Sequence, residues 1–214
     1  IACSAGIGMQ FGHDPFISHP TRCVVVGRVG RQNNSRRKNG RNDLSPITPE
    51  NNGMPLVMIR IDDRLIHGQV VVGWGNVLKP DRILLSSDEV ASVDWQRTIY
   101  LSAVPEHLHA SVLTLADTVD VIQNGEYGEE RVLLLVDSPE SVVYLVEHGI
   151  DIKQVNVGGM HFKPGKNQIS TFIFVDQNDI EHFKILCEKG IHLEGRDVPT
   201  RSPVNICKVL GLNH

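Results

Sequence analysis

The stretch RVLLLV at residues 131–136 is the most strongly apolar of the segments that read as strands in this chain. It predicts a strand buried on both faces, because a strand with one solvated face would carry a polar residue at every second position. LVMIRI at residues 56–61 and RILLS at residues 82–86 have the same short apolar character. Strands of this kind occur mainly in parallel sheets that are covered on both sides.

Segments with helical periodicity lie between these strands. In residues 67–79 the apolar side chains recur at helical spacing, and Pro80 ends the pattern. We predict helices at residues 67–79, 88–103, 115–123, 139–148, 178–189 and 204–210, and further strands at 109–115, 154–158, 168–175 and 191–198. This alternation predicts an α/β fold with an open, mostly parallel twisted sheet of about six to seven strands and helices on both faces.

Composition narrows the class of protein. Apolar residues make up 41% of the chain and charged residues 21%, which is ordinary for a globular domain and excludes a collagen-like or wholly disordered chain. No apolar run approaches the roughly 18 residues of a membrane span. The cysteines are too few and too scattered for a disulfide framework, which favours a reduced, intracellular protein; they are Cys3, Cys23, Cys187 and Cys207.

The first 53 residues differ in kind from the rest. They hold seven Lys and Arg against three Asp and Glu, whereas the remaining 161 residues hold 14 against 22. Residues 31–42 contain no apolar side chain, and such a segment cannot bury enough surface to offset its ordering entropy. We therefore expect residues 1–53 to be a disordered or mis-started extension and residues 54–214 to be the folded domain. The acidic character of that domain argues against a nucleic-acid partner.

Charged residues are concentrated just after the first strand. Two arginines, two aspartates and one histidine fall within residues 60–67: Arg60, Asp62, Asp63, Arg64 and His67. In parallel sheets, ligands bind outside the carboxyl ends of the strands, which is where this loop lies.

His67 stands at the predicted start of a helix, where free N–H groups and the helix dipole favour an anion. Gly68 would let the backbone approach a ligand closely, and Arg60 and Arg64 can hold phosphate oxygens bidentately. Asp62 or Asp63 could fix the tautomer of the imidazole. The loop therefore predicts a phosphoryl-accepting histidine, although a surface cluster of ion pairs would have the same composition.

The segment RIDDRLIHGQV at residues 60–70 resembles the signature of the IIB component of the mannose/fructose/sorbose class of the bacterial sugar phosphotransferase system. Trp74, SDEVA at residues 87–91, NVGGM at 156–160 and VPT at 198–200 extend the resemblance. It covers about residues 54–212, in order and without large gaps.

The resemblance implies a function. In this family the corresponding histidine, here His67, receives a phosphoryl group from the phosphohistidine of a IIA partner, with Nδ1 as the expected acceptor. It passes the group to a sugar imported by membrane IIC and IID components. Arg60, Asp63 and Arg64 correspond to residues expected to bind the group and orient the ring. A cytoplasmic location at the inner face of the membrane follows, with no cofactor and no metal, and the resemblance also suggests a homodimer.

Two alternatives stay open from the residues alone. The loop could belong to a non-catalytic anion-binding module or to a phosphohistidine phosphatase. At the end of the fifth predicted strand, Asn156, Gly158 and Gly159 could form either a tight turn or a wall of the same site.

Overall fold

The computed structural model describes residues 54–212. The strands are β1 Leu56–Asp62, β2 Arg82–Ser86, β3 His109–Leu113, β4 Val132–Val136, β5 Gln154–Gly159, β6 Asn167–Ser170, β7 Ile173–Val175, β8 His192–Gly195 and β9 Val204–Asn205. The helices are a π-helical segment Gln69–Trp74, followed by α1 Gly75–Leu78, α2 Asp88–Ala91, α3 Asp94–Ser102, α4 Leu115–Asn124, α5 Pro139–Glu147, α6 Gln177–Glu188 and α7 Ile206–Val209. No helix in this part of the chain is long and apolar enough to cross a membrane.

Seven strands form one sheet in the order β3-β2-β4-β1-β5-β8-β9. Every neighbouring pair is parallel except β8 and β9 at one edge. The most apolar stretch of the sequence is therefore the central strand β4, which pairs with β1 on one side and β2 on the other. The mostly parallel α/β sheet predicted from the apolar runs is confirmed.

Both faces of the sheet carry a core. Alternate side chains of β4 enter different clusters, because successive residues of a strand point to opposite faces. Leu134 packs with residues of α4, α5 and α6, whereas Leu133 and Leu135 pack with the π-helical segment and α1. All five residues of β4 are buried, as the continuous apolar run required.

Some predicted elements are divided in the structure. The helix predicted at residues 88–103 breaks at Val93, whose extended backbone (φ −123°, ψ 105°) separates α2 from α3. The strand predicted at 168–175 is instead a hairpin, in which β6 and β7 pair antiparallel in a small second sheet. The helix predicted at 204–210 begins with two residues that pair with β8. The prediction for residues 1–53 falls outside the described residues.

The cysteines correct one expectation. Cys187 on α6 and Cys207 on α7 form a disulfide, where the sequence favoured reduced thiols. The two residues lie 20 positions apart and match no short cysteine motif, so nothing in their spacing predicted the bond. The fold brings them together by returning α7 to the side of α6, which places the two Cα atoms 6.1 Å apart.

Candidate functional site

His67 follows a tight turn at the carboxyl end of β1. The backbone N–H of Leu65 donates to the carbonyl of Asp62 at 2.9 Å, and Leu65 adopts a left-handed conformation with φ of 57°. The Leu65 carbonyl lies 2.9 Å from Nδ1 of His67. Because a carbonyl oxygen only accepts hydrogen bonds, Nδ1 carries the proton in this arrangement.

The second ring nitrogen of His67 faces Asp62. Nε2 lies 3.9 Å from Oδ2 of Asp62, beyond hydrogen-bond distance. This nitrogen is shielded from solvent and has no hydrogen-bond partner within residues 54–212. Nδ1 is engaged by Leu65 and Nε2 is enclosed, so the imidazole must shift before either nitrogen can accept a phosphoryl group.

Asp62 is held by a buried arginine. Both side chains of the Arg60–Asp62 ion pair are fully buried, and Nη2 of Arg60 donates to Oδ2 at 2.7 Å. Burial lowers the pKa of Arg60, and the Asp62 carboxylate opposes that lowering. The pair therefore holds a carboxylate oxygen of Asp62 in a fixed position on the Nε2 side of the imidazole.

The two terminal nitrogens of Arg60 make further hydrogen bonds within the protein, whereas its Nε is buried and has no hydrogen-bond partner among residues 54–212. Nη1 donates to the side-chain oxygen of Asn156 and, at 3.1 Å, to the carbonyl of Arg196. Nη2 also donates to the carbonyl of Asp197 at 3.1 Å. Arg60 therefore holds Asp62, Asn156 and the backbone at residues 196–197 together beneath the site. In this arrangement its terminal N–H groups are not available to a phosphate.

The glycines at the end of β5 leave room for this pair. A Cβ at Gly158 would overlap the guanidinium of Arg60, and one at Gly159 would lie 3.2 Å from a carboxylate oxygen of Asp62. Both glycines belong to the strand, so close approach of a buried ion pair explains them and a tight turn does not. Together with Asn156, they form the wall behind Arg60 and Asp62 and do not line an open site.

Asp63 points to a different loop from Asp62. Its carboxylate accepts hydrogen bonds from the backbone N–H of His161 at 2.7 Å and from Nδ1 of the same residue at 2.5 Å. Its own backbone N–H donates to the carbonyl of Gly159 at 3.0 Å. Of the two aspartates considered for orienting His67, Asp62 faces the ring, and Asp63 ties the histidine loop to the loop that follows β5.

Arg64 is the arginine of this loop that reaches solvent. Its side chain is 39% exposed, its Nε lies 3.5 Å from Asp62, and its Nη2 donates to Gln69 at 2.7 Å. Gly68 is exposed, and a Cβ there would meet no protein atom within 4 Å. The space around Gly68 and Arg64 is therefore open to a ligand on the solvent side of His67.

The sequence did not indicate two residues whose backbone carbonyls hold Arg60 in place. Arg196 and Asp197 act through their backbone carbonyls, which accept from Arg60, and that of Asp197 also accepts from Nε1 of Trp74 at 3.0 Å. A carbonyl is present at every position, so no residue type could have marked these two. Trp74 is fully buried, as expected for a core residue.

Comparison with known proteins places the chain in a family. A family model described as "PTS system sorbose subfamily IIB component" matches residues 56–214. The chain belongs to this family, as the resemblance at residues 60–70 predicted.

Individual proteins named as components of such systems are similar to this chain. The chain is 44% identical over 155 residues to the mannose-specific EIIAB component of Escherichia coli K12, a match that covers 72% of this chain and 48% of that protein. It is 37% identical to the sorbose-specific EIIB component of Klebsiella pneumoniae, with 72% and 93% covered. The crystal structure of the IIBSor domain of the Klebsiella sorbose permease superposes with a TM-score of 0.69 at 35% identity, covering 73% and 96%. The chain thus spans about half the length of the mannose relatives that it matches.

Proposed function

We propose that this chain is a phosphocarrier, a protein-Npi-phosphohistidine–sugar phosphotransferase of the IIB type. His67 accepts a phosphoryl group from a phosphorylated IIA protein or domain and transfers it to a sugar imported by membrane IIC and IID components. The observation that carries the proposal is the position of His67, between the buried Asp62 carboxylate and the exposed Arg64, in a chain of this family.

The geometry suggests how Nδ1 becomes the nucleophile. A shift of the ring toward Asp62 would close the 3.9 Å gap to an Nε2–H···O hydrogen bond of about 2.8 Å. The proton would then reside on Nε2, and the lone pair of Nδ1 would be released from the Leu65 carbonyl. The fixed charge of Asp62 would stabilise the positive charge that develops on the ring as the N–P bond forms.

The phosphoryl group would lie on the solvent side of His67. Arg64 can turn from Gln69 to the phosphoryl oxygens, which its guanidinium can bind bidentately. Arg60 would contribute indirectly, by holding the Asp62 carboxylate in place. In this proposal only Arg64 contacts the phosphoryl group, whereas the sequence led us to expect contacts from both arginines.

The partners are part of the proposal. The mannose relatives are named EIIAB components and are about twice as long as the region matched here, which supports a IIA domain as the donor. Association with the membrane permease at the inner face, and formation of a homodimer, remain proposals from the family resemblance.

Phosphoryl transfer to the full chain tests this function. The reaction would contain phosphoenolpyruvate, Enzyme I, HPr and a mannose-class IIA domain, with His67→Ala as the test variant. The matched control is His182→Ala, since His182 is a partly exposed histidine on α6. We expect an acid-labile, base-stable phosphate on the parent chain and on the control, and none on His67→Ala.

The other outcomes separate the alternatives. Label that persists in His67→Ala would move the acceptor to another residue. Release of the phosphate to water without a sugar acceptor would indicate a phosphohistidine phosphatase, and no labelling with several IIA donors would indicate an anion-binding module. Family membership favours neither alternative.

A further inference from the structure

The disulfide between Cys187 and Cys207 lines a cavity of about 260 Å³. The cavity opens beside the start of β8, where His192 and Leu193 also line it. Cys187 is 2% exposed, whereas Cys207 is half-buried on the short helix α7. Thiol–disulfide exchange requires access to one of the two sulfurs. A small thiol can therefore approach the bond from the side of Cys207 while the protein is folded.

A disulfide is unusual in the cytoplasmic location proposed for this chain. Thiols in the cytoplasm are kept reduced, and the disulfides that do form there are usually transient, catalytic or redox-sensing. The fold nevertheless places the two Cα atoms 6.1 Å apart, a distance that a disulfide spans. The bond can therefore form in the folded chain and can also be opened by the surroundings.

The segment that the disulfide fastens to α6 has little regular structure of its own. Strand β9 has two residues and helix α7 has four. A single helical turn is unstable alone, because few hydrogen bonds offset the cost of ordering it. Burial of Ile206 and the disulfide to α6 are the contacts that keep this segment in place.

This segment packs against the end of β8. Strand β9 pairs antiparallel with Glu194 and Gly195, the last two residues of β8. Ile206, which begins α7, lies so close to Gly195 that a Cβ there would be 2.6 Å from Cδ1 of Ile206. Movement of β9 and α7 would therefore move the end of β8 as well.

The end of β8 leads directly into the support of Arg60. The carbonyls of Arg196 and Asp197 each accept from the Arg60 guanidinium at 3.1 Å. The Asp197 carbonyl also accepts from Nε1 of Trp74 at 3.0 Å. A change at the disulfide can therefore reach the Arg60–Asp62 pair behind the reactive histidine through directly connected residues.

We propose that Cys187 and Cys207 are a redox-active pair that a dithiol reduces, and that their oxidation state controls phosphoryl acceptance by His67. In the oxidised chain, the disulfide fixes α7 and β9, and with them the carbonyls that hold Arg60. In the reduced chain this support is looser and phosphoryl transfer is slower. The redox step depends on the disulfide alone, whereas its effect on transfer rests on the proposed function.

The redox step is an exchange of disulfides. A thiolate of the dithiol attacks Sγ of Cys207, the Sγ–Sγ bond breaks, and Cys187 leaves as a thiolate. The second thiolate of the dithiol then attacks the mixed disulfide and releases Cys207. Two electrons pass from the dithiol to the cysteines, the two protons of the dithiol end on the cysteine thiols, and the dithiol becomes a disulfide.

Reduced dithiothreitol tests this step on the full, native chain. We expect the bond to open without urea and to form again with oxidised dithiothreitol, as measured by the mass added when free thiols are alkylated. The control is Cys187→Ala/Cys207→Ala, which retains Cys3 and Cys23 and so reports alkylation at those two residues. A bond that opens only after urea unfolds the chain would overturn the proposal.

Hydrogen exchange tests whether the bond acts on the support of Arg60 or only on the fold as a whole. The indole N–H of Trp74 reports on Asp197, and the amide of Leu134 reports on the central strand β4. Relative to the oxidised chain, reduction should speed exchange at Trp74 by at least about tenfold more than at Leu134, because local opening needs less free energy than global unfolding. Equal acceleration of the two signals would overturn the proposal.

Phosphoryl transfer from a phosphorylated IIA domain provides the functional measurement. Reduction should slow acceptance by His67 on the order of tenfold, and the double cysteine variant should be slow with or without dithiothreitol. An unchanged rate in the reduced parent would overturn the link to the site. The absence of labelling in both states would instead contradict the proposed function, because the alkylation and exchange measurements contain no phosphoryl donor.

Discussion

At the residue scale, the site depends on a buried arginine whose charge is neutralised before any ligand arrives. Arg60 satisfies Asp62, Asn156 and two backbone carbonyls, and Asp62 in turn faces His67 at 3.9 Å. Removing one partner of such a pair costs about 3–5 kcal/mol, because the other charge stays buried without compensation. The carboxylate that faces the histidine is therefore held in place by a residue buried in the protein.

Gly158→Ala tests this arrangement at the point of closest packing. The added methyl group would overlap the Arg60 guanidinium, so we expect the free energy of unfolding to fall by about 3 kcal/mol or more. Gly68→Ala is the matched control, because a Cβ there meets nothing within 4 Å and should change stability by less than about 1 kcal/mol. Urea unfolding measures the free energy of unfolding of both variants. Equal losses of stability in the two variants would contradict the close packing of Gly158 against the buried Arg60 guanidinium.

At the element scale, one helix ends in a backbone conformation that is unfavourable for the residue found there. Helix α1 ends at Lys79, a non-glycine residue with φ of 49°. The left-handed conformation that closes a helix in this way favours glycine, which has no Cβ to clash with the following carbonyl.

Lys79→Gly should therefore raise the free energy of unfolding by about 1 kcal/mol, as measured by urea unfolding. Lys189→Gly provides the contrast, since Lys189 ends α6 with φ of −76° and gains nothing from glycine. Stabilisation of both variants, or of neither, would mean that the strain at Lys79 is not the cause.

A second feature at this scale is a group of polar side chains that joins β2, β3 and β4 near the amino ends of these strands, away from the site. Arg82 on β2 donates to Glu130 at 2.6 Å, just before β4, and to Ser111 on β3 at 2.7 Å. The hydrogen bond from Arg82 lowers the pKa of Glu130 below its ordinary value of 4.5. The ionised carboxylate is thus favoured by folding.

The stabilisation from Glu130 should depend on pH in a definite direction. A carboxyl group with a lowered pKa in the folded state stabilises the protein above its unfolded pKa and loses that effect as the pH falls through the folded pKa. The stability difference between the parent and Glu130→Gln should therefore be full near about pH 7 and shrink below about pH 4.5. Urea unfolding across this range measures the difference, with Glu147→Gln as an exposed glutamate control; a pH-independent difference for Glu130→Gln would refute the assignment.

At the scale of the whole molecule, the sequence predicted the strands that consist of apolar runs. It did not predict the features that depend on contacts between residues far apart in the chain. RVLLLV predicted the central strand because burial on both faces leaves a local pattern. The hairpin of β6 and β7 left no such pattern, since its pairing depends on a turn within what looked like one strand. The position of His67 at a helix start was predicted, whereas the burial of Arg60 could not be, because its acceptors include carbonyls 136 and 137 positions away.

The disulfide between α6 and α7 gives a prediction at this scale. Closing a loop of 20 residues restricts the unfolded chain and should stabilise the fold by about 3 kcal/mol. Dithiothreitol should lower the free energy of unfolding of the parent by this amount and leave the double variant Cys187→Ala/Cys207→Ala unaffected. A parent chain that is indifferent to reductant would show that the bond does not form in solution.

The carbonyls that hold Arg60 also bear on when the site can form during synthesis. Arg60 leaves the ribosome 136 residues ahead of the carbonyl of Arg196. At about 5–20 residues added per second, the guanidinium waits on the order of ten seconds for its last acceptors. The full set of hydrogen bonds to the Arg60 side chain can therefore form only after residues 196 and 197 have been made, when most of the chain already exists.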